Sequence, residues 1–211
     1  MKKLTEASVK LSNGDYDVEI VNSNTYEIKL LSTAFENMAL HLKEHEKLQH
    51  LLAYRDSLTG LRNTNSYWAW INDFDKEIET GEIDFGVLVF DINYLKETND
   101  RYGHDVGNKL IVSAARVISD TFKRSPVFRI GGDEFLVILK NRDLDDVKEL
   151  LKIFDEECLC KSVDIDKEST PVSIAKGFAR YDSGKDTNFM DVFNRADDAM
   201  YENKRKIKGL K

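Results

Sequence analysis

The chain has 211 residues, of which 41% are hydrophobic and 33% are charged, and its formal net charge is -7. This length predicts one full domain with a smaller appendage, large enough to fold without disulfides or a structural metal. The acidic net charge argues against binding to a nucleic-acid polymer. No apolar run reaches the ~18 residues that span a bilayer, and the two cysteines are expected to be reduced thiols. A soluble, cytoplasmic protein is therefore expected.

Residues 1–54 have helical, heptad-like spacing. Leu4, Ala7 and Leu11 predict a short first helix, and the turn residues Asn13-Gly14-Asp15 end it before an extended connector. Further along, apolar residues recur at spacings of three and four, the spacing of a coiled-coil seam: Ile28, Leu31, Phe35, Met38 and Leu42. A single helix cannot bury such a seam, so the segment predicts a parallel homodimer.

The order of helix, turn, connector and second helix over residues 2–50 resembles a HAMP signal-relay module. That resemblance implies a membrane helix upstream, so either an upstream membrane sensor or a soluble variant is expected. An ordinary dimerising coiled coil is the alternative. His41 and His45 lie four residues apart and could face one metal ion, but solvated histidines on a helix face are favoured.

Over residues 55–211 the spacing of apolar residues changes repeatedly between helical and strand-like periods. The patterns predict helices over 65–79, 106–122, 143–159 and 188–206, and strands over 84–92, 127–130, 135–139 and 172–180. Alternating helices and strands with one tight hairpin indicate an α/β domain with a mixed central sheet flanked by helices.

Three acidic residues follow strand-like segments. Asp91 ends a buried apolar run, while Asp133 and Glu134 follow Gly131-Gly132. Consecutive glycines permit positive φ at both positions of a two-residue hairpin turn and leave room for a ligand. If Asp91 and Asp133 converge, Mg²⁺ would relieve their repulsion and bridge to substrate phosphates. For these motifs alone, simple turn chemistry is an equal alternative.

Further segments accompany these acids in a fixed order: Arg55–Asn63, which reads RDSLTGLRN, the polar stretch Asp91–Asn108, and Asp198–Lys204. Together with Arg129–Phe135 they resemble the GGDEF diguanylate cyclase family over about residues 55–208. The resemblance implies a palm-like nucleotide cyclase fold, preceded by the helical stalk. It also implies condensation of two GTP into cyclic di-GMP, with release of two pyrophosphates. Each subunit of a homodimer would hold one GTP, and the two catalytic domains would face each other.

The resemblance also implies roles for individual residues. The metal would be Mg²⁺, one or two ions per subunit with Mn²⁺ as a substitute, held by Asp91, the backbone carbonyl of Ile92, Asp133 and Glu134. Asp133 would accept the proton of the attacking 3′-hydroxyl, Glu134 would support the metal or nucleotide, and Lys96 would stabilise charge in the transition state. The implied substrate-binding residues are Asn99, His104, Asn108, Lys204 and Lys208, with His104 expected to order its loop.

Several positions depart from the family pattern. Asn108 stands where the family usually has the aspartate that reads guanine, which predicts relaxed base choice and mixed cyclic GMP-AMP. Ile207-Lys208 replaces Gly-Arg, which weakens the case for a phosphate contact there. Phe122–Ser125 replaces Arg-x-x-Asp, so strong product inhibition by that route is not expected. A non-catalytic nucleotide-binding sensor module is the remaining alternative.

Overall fold

The computed structural model describes residues 9–10, 15, 26–80, 83–165 and 168–209. The chain forms two compact units that divide between Ala53 and Tyr54. In the first unit the described element is helix α1, which runs over Tyr26–Tyr54. Apart from residues 9, 10 and 15, the predicted first helix, turn and connector lie outside the described residues, so the HAMP interpretation stays a prediction.

Helix α1 carries its apolar seam on an open face. Leu31, Met38 and Leu42 are 49%, 56% and 41% exposed, and Phe35 is half-buried. Helices of globular proteins gain most of their stability by packing such a face against a neighbour. Within the described residues, no helix combines the length and apolar character needed to cross a bilayer.

The second unit is an α/β domain. Its helices are α2 (Thr64–Thr80), α3 (Leu95–Tyr102), α4 (His104–Thr121), α5 (Asn141–Asp145), α6 (Val147–Cys160) and α7 (Phe189–Ile207). Its strands are β1 (Gly86–Ile92), β2 (Val127–Arg129), β3 (Glu134–Leu139), β4 (Ser162–Ile165), β5 (Glu168–Pro171) and β6 (Ile174–Arg180).

A four-stranded sheet in the order β2-β3-β1-β6 forms the centre, and β4 and β5 form a separate hairpin. The four central strands pair antiparallel, and the parallel contribution is a single bridge between Arg62 and Phe128. The predicted α/β architecture with a central sheet flanked by helices is confirmed, and the sheet, which was predicted to be mixed, is antiparallel.

Strand β1 is buried along its whole length because both faces of the sheet are covered. Leu88, Phe90 and Ile92 belong to one core, which includes the inner face of α4. Val87 and Val89 belong to the opposite core, which includes apolar residues of α2 and α7. A strand enclosed on both sides reads as a continuous apolar run, which is the pattern that predicts it from sequence.

Three elements differ from the sequence prediction. The single helix predicted over 143–159 is two helices, α5 and α6, which meet at Asp146. Helix α3 forms within a stretch expected to be a loop, and the β4–β5 hairpin was not predicted. Cys158 and Cys160 are free thiols.

Helix α7 lies unusually close to strand β6. A Cβ atom added to Gly177 would lie 2.1 Å from the Ala196 carbonyl oxygen and 2.2 Å from the Met200 nitrogen. Further along the helix, the Asn203 side chain accepts a hydrogen bond from the Lys176 backbone N–H at 3.0 Å. These contacts fix the distance and the register of the helix on the strand.

Gly177→Ala is therefore expected to destabilise the second unit. The neighbouring atoms are backbone, which a side-chain rotation cannot move, so we expect a loss near the upper end of overpacking costs, about 3 kcal/mol in the free energy of unfolding. Urea unfolding followed by tryptophan fluorescence measures it. Gly184→Ala is the matched control, because a Cβ there meets only the Asp182 side chain, at 3.3 Å. Equal losses in the two variants would contradict the prediction.

Candidate active site

The end of β1 and the β2–β3 connection come together. The Ile92 N–H donates to the Asp133 carbonyl oxygen at 3.0 Å, and Asp91 lies directly opposite Glu134 in the strand register. Residues opposite each other on neighbouring strands have Cβ atoms about 4.5–5.5 Å apart. The structure thus brings the strand-end acid and the acids after Gly131-Gly132 to one place, while the role of the Ile92 carbonyl as a metal ligand remains a prediction.

The predicted two-residue turn with positive φ at both glycines is wrong. In the described part of the chain the glycines with positive φ are Gly60, Gly103 and Gly209. The connection instead spans residues 130–133, with the Ile130 N–H donating to the Glu134 carbonyl oxygen at 3.0 Å. A Cβ at Gly131 would lie 2.5 Å from Glu134 Oε2, a contact that the exposed Glu134 side chain can relieve by rotating. Gly132 has open space around it, so a ligand can approach its backbone closely.

Asp91 is a buried carboxylate, 5% exposed, and Lys204 supplies its counter-charge. Lys204 Nζ donates to Asp91 Oδ2 at 2.7 Å and lies 2.6 Å from Oδ1, although Oδ1 itself makes no hydrogen bond. Burial raises the pKa of Asp91; the ammonium of Lys204 acts against that increase, and the charge of Asp133 adds to it. Asp91 is therefore a buried carboxylate that depends on a nearby cation.

Glu134 extends this negative region. Partial burial, followed by the charges of Asp133, Asp91 and Asp197, raises the pKa of Glu134, although its side chain still reaches solvent. Asp197 on helix α7 was not among the predicted site residues, since its spacing indicates only a helix face. Its charge shows that α7 contributes an acid as well as a lysine to this end of the sheet.

The donor set fits a magnesium ion that is only partly enclosed by protein. Asp91 contributes a buried carboxylate that the Lys204 ammonium faces, and Asp133 is close enough to influence the pKa of Asp91. No group of three or more His, Cys, Asp or Glu side chains placed to hold a metal occurs among the residues described. Mg²⁺ commonly takes one or two carboxylates, several waters and substrate phosphates, so two carboxylates suffice.

The other predicted polar residues surround this centre. Lys208 is the C-cap of α7; its charge lowers the pKa of Asp91, and its Nζ lies 5.3 Å from the Tyr94 ring centroid. Lys96, in the first turn of α3, and His104, the first residue of α4, are exposed. Neither Lys96 nor His104 takes part in the Asp91–Lys204 ion pair.

The two predicted base-reading residues lie at the junction of α3 and α4. The Asn99 side-chain amide lies directly against Gly107: a Cβ added to Gly107 would lie 1.9 Å from Asn99 Oδ1. Asn108 lines a cavity of about 460 Å³ together with Leu58, Val112 and Val163. The other lining residues are polar or charged, namely Lys109, Ser113, Arg116 and Ser162, so the cavity joins apolar walls to basic and hydroxyl groups. Leu58 and Val163 were missed from sequence because isolated apolar residues carry no signal for a pocket.

The loop Asp56–Leu61 is connected by hydrogen bonds through Arg129 to the turn that carries Asp133. Arg129 Nη1 donates to both carboxylate oxygens of Asp56 at 3.0 Å, and Arg129 Nη2 donates to the Gly132 carbonyl oxygen at 2.8 Å. Thr59 holds the acceptor in place, with its N–H and hydroxyl donating to Asp56 Oδ1 at 2.8 and 2.6 Å. Arg129 thus connects a loop that is distant in the sequence to the turn that carries Asp133.

Comparison with known proteins assigns this arrangement to a family. The family model described as “Diguanylate cyclase, GGDEF domain” matches residues 53–209. The chain belongs to the GGDEF family. Because the match extends over the whole second unit apart from its C-terminal end, the predicted resemblance is confirmed.

Individual relatives agree with the family. “Probable diguanylate cyclase DgcC” of Escherichia coli (strain K12) is 37% identical over 103 residues, covering 48% of this chain and 28% of the relative. “Diguanylate cyclase DgcM” of the same strain is 27% identical over 181 residues, covering 85% of this chain and 42% of the relative. The chain therefore spans less than half the length of these relatives.

A solved structure has the same fold. The coiled coil and GGDEF domain of DgcB from Caulobacter crescentus, in complex with c-di-GMP, aligns with a TM-score of 0.72 at 25% identity. The alignment covers 87% of this chain and 95% of that structure. The likeness extends beyond the sheet and helices to the combination of a long helix with a GGDEF domain.

One departure from the GGDEF pattern has a structural basis. Phe122, at the position expected for the arginine of the product-inhibition motif, is completely buried in the core. Ser125, at the position expected for the aspartate, donates from Oγ to Asp143 Oδ2 at 2.8 Å. Neither side chain offers a charge to a cyclic dinucleotide, so weak product inhibition by this route stays our prediction.

Asp56→Asn is expected to weaken the Asp56–Arg129 connection to the GGDEF turn. Burial alone would raise the pKa of Asp56, but the hydrogen bonds from Thr59 and the charge of Arg129 outweigh it and hold the pKa below its usual 3.8. A depressed carboxyl pKa contributes stability above the unfolded-state value, and that contribution is lost as the pH falls through the folded-state value. We expect Asp56→Asn to lose about 1–3 kcal/mol of unfolding free energy at neutral pH.

Urea unfolding of both proteins across the pH range measures the effect. The difference should be constant at neutral pH and shrink as the pH falls below 3.8. Asp120→Asn, on the exposed end of α4, is the control and should change nothing. A difference that is independent of pH would contradict the ionic origin of the Asp56–Arg129 connection.

Proposed function

We propose that this chain is a diguanylate cyclase that condenses two GTP molecules into cyclic di-GMP and releases two pyrophosphates. The observation that carries the proposal is the convergence of Asp91, Asp133 and Lys204, in which a buried carboxylate, a turn carboxylate and an ammonium share one end of the sheet. The GGDEF membership and the diguanylate cyclase relatives support it at the level of the family.

The proposed reaction is nucleotidyl transfer between two bound nucleotides. The 3′-hydroxyl oxygen of one GTP attacks the α-phosphorus of the other, the bond from that phosphorus to the bridging oxygen breaks, and pyrophosphate leaves. Asp133 orients the hydroxyl and accepts its proton, and the second transfer closes the ring. Mg²⁺, held by Asp91 and Asp133 with Glu134 and the Ile92 carbonyl as further oxygen donors, supplies charge neutralisation at the phosphates when it is bound.

The lysines bind the negative charge that the carboxylates would otherwise repel. Lys204 and Lys208 are one helical turn apart on α7, which places both ammoniums on the same side for a triphosphate. Lys96 is the proposed source of charge stabilisation in the transition state, and His104 orders the start of α4. GTP is a cytoplasmic nucleotide, so we propose that the site faces the cytoplasm.

The chemistry requires two copies of the chain. Each copy holds one GTP, so neither can complete the ring alone, and the proposed regulation acts by controlling how two catalytic units meet. Helix α1 offers the exposed apolar seam for a homodimer, in which Leu31, Met38 and Leu42 would be covered. An upstream membrane sensor is one proposed source of the signal.

Asp133→Asn tests the catalytic proposal. With Mg²⁺ and GTP, the unaltered protein should release pyrophosphate and form cyclic di-GMP, and the variant should lose about 10²–10⁴-fold in rate because its amide neither accepts the proton nor matches the metal charge. Pyrophosphate release and mass spectrometry of the product are the measurements. Asp120→Asn again serves as the control, with the same chemical change at an exposed helix position.

The sensor alternative makes a different prediction for the same assay. If the unaltered protein binds GTP but releases no pyrophosphate, the cyclase proposal fails and the chain is a nucleotide-binding module. If Asp133→Asn retains full activity, the assignment of the proton acceptor fails instead.

A second candidate function, synthesis of cyclic GMP-AMP, rests on Asn108. A carboxylate would accept hydrogen bonds from guanine N1–H and N2–H together, whereas an amide accepts through its oxygen alone. Asn108 also offers an NH₂ group, which would face a donor on guanine but an acceptor on adenine. Asn108 and Leu58 line the same cavity, which supports the proposal of a base site there. Loss of a charge-assisted hydrogen bond costs about 1.5–3 kcal/mol of base discrimination.

Asn108→Asp should therefore sharpen base choice. In an equimolar mixture of GTP and ATP the unaltered protein is expected to make a measurable fraction of mixed dinucleotide, and the variant should favour guanine about ten- to a hundredfold more strongly. Mass spectrometry of the products gives the ratio. Equal product ratios from both proteins would exclude Asn108 as the base-selecting residue. Lys109→Met, a neighbouring change on the cavity rim, controls for altered packing.

A further inference from the structure

Tyr94 has a backbone conformation that tyrosine rarely adopts. It forms the N-cap of α3 with φ 62 and ψ 19, in the left-handed region. Among the described residues the other non-glycine with positive φ is Asn141, and asparagine tolerates this region well. The Tyr94 ring is 42% exposed, so burial of the ring in the core does not account for a tyrosine here. Backbone strain of this kind is found at functional sites.

The backbone of Tyr94 is held firmly from both sides. Its carbonyl oxygen accepts hydrogen bonds from the Thr98 N–H and the Thr98 hydroxyl, both at 2.9 Å. The preceding residue, Asn93, donates its N–H to the Ser173 carbonyl oxygen at 2.8 Å and its side-chain amide to Ser173 Oγ at 3.1 Å. The direction of the Tyr94 Cα–Cβ bond, from which the ring extends, is therefore set by the fold.

The ring meets the last lysine of the proposed phosphate site. Lys208 Nζ lies 5.3 Å from the Tyr94 ring centroid, within the distance of a cation–π contact. The Lys208 N–H donates to the Lys204 carbonyl oxygen at 3.0 Å, so the two lysines are linked through the last turn of α7. A long side chain at a helix end has many rotamers, and a contact with a fixed ring restricts them.

We propose that Tyr94 is a positioning residue that holds the Lys208 ammonium beside the carboxylate centre, where the triphosphate of the nucleotide would meet it. This inference rests on the proposed function and specifies how the phosphate end of the site is built. The face of the ring carries negative potential, which attracts the ammonium of the flexible Lys208 side chain.

The experiment measures affinity for 3′-deoxy-GTP with Mg²⁺ by calorimetry, because this nucleotide lacks the hydroxyl that condenses. Tyr94→Asn removes the ring and accepts the left-handed backbone, so affinity should fall about two- to fivefold, the range of an exposed cation–π contact. Its urea unfolding midpoint should be unchanged or higher. Tyr94→Phe keeps the aromatic face and should bind as the unaltered protein does.

A double-variant cycle identifies the partner. Lys208→Met should also weaken binding, and adding Tyr94→Asn to Lys208→Met should cause no further loss, because the ring then has no ammonium to hold. Full affinity in Tyr94→Asn, a loss in Tyr94→Phe equal to that in Tyr94→Asn, additive losses in the double variant, or a loss of affinity that follows a loss of stability would each overturn the inference.

The test separates this inference from the cyclase proposal. If the unaltered protein binds 3′-deoxy-GTP but does not turn over GTP, the cyclase proposal fails, and the affinity ratios still decide the role of Tyr94. If the unaltered protein binds no nucleotide, both fail. If turnover is normal and the Tyr94 variants bind equally, only the role of Tyr94 is overturned.

Discussion

The burial of a carboxylate at the end of the central strand is the constraint on which this site depends. Strand β1 is covered on both faces, so Asp91 is removed from water and needs positive charge close by. The β2–β3 connection adds further acids at the same place, and helix α7 supplies Lys204. The site is therefore a balance between charges brought by three separate elements, and any change in their spacing alters it.

Helix α7 maintains that spacing through contacts along its length. Its first turn is capped by the Asn188 side chain, which accepts from the Asp191 N–H at 3.1 Å. In the middle, Gly177 allows the backbone of the helix to lie against β6, and Asn203 then fixes the register one residue before Lys204. A helix held in this way places a lysine with the accuracy that binding to a buried carboxylate requires.

Much of the fold could be predicted from sequence because its elements have clear periodicity. The enclosed β1 reads as a continuous apolar run, and α4 and α7 read as amphipathic helices. Helix α3 could not be predicted in this way, since its sequence is almost wholly polar and its start is set by the left-handed Tyr94. The break between α5 and α6 at Asp146 likewise has no proline or glycine to announce it in the sequence.

The site was predictable as a set of residues but not as a set of contacts. Motif order places Asp91, Asp133 and Lys204 in one family pattern, whereas the ion pair joins residues 113 positions apart, a separation that no local pattern reports. The Asp56–Arg129 ion pair, across 73 positions, was missed for the same reason.

Strand β6 forms one edge of the central sheet. Because Asn203 occupies the outward N–H of Lys176, the β6 edge is closed to strand addition at that residue.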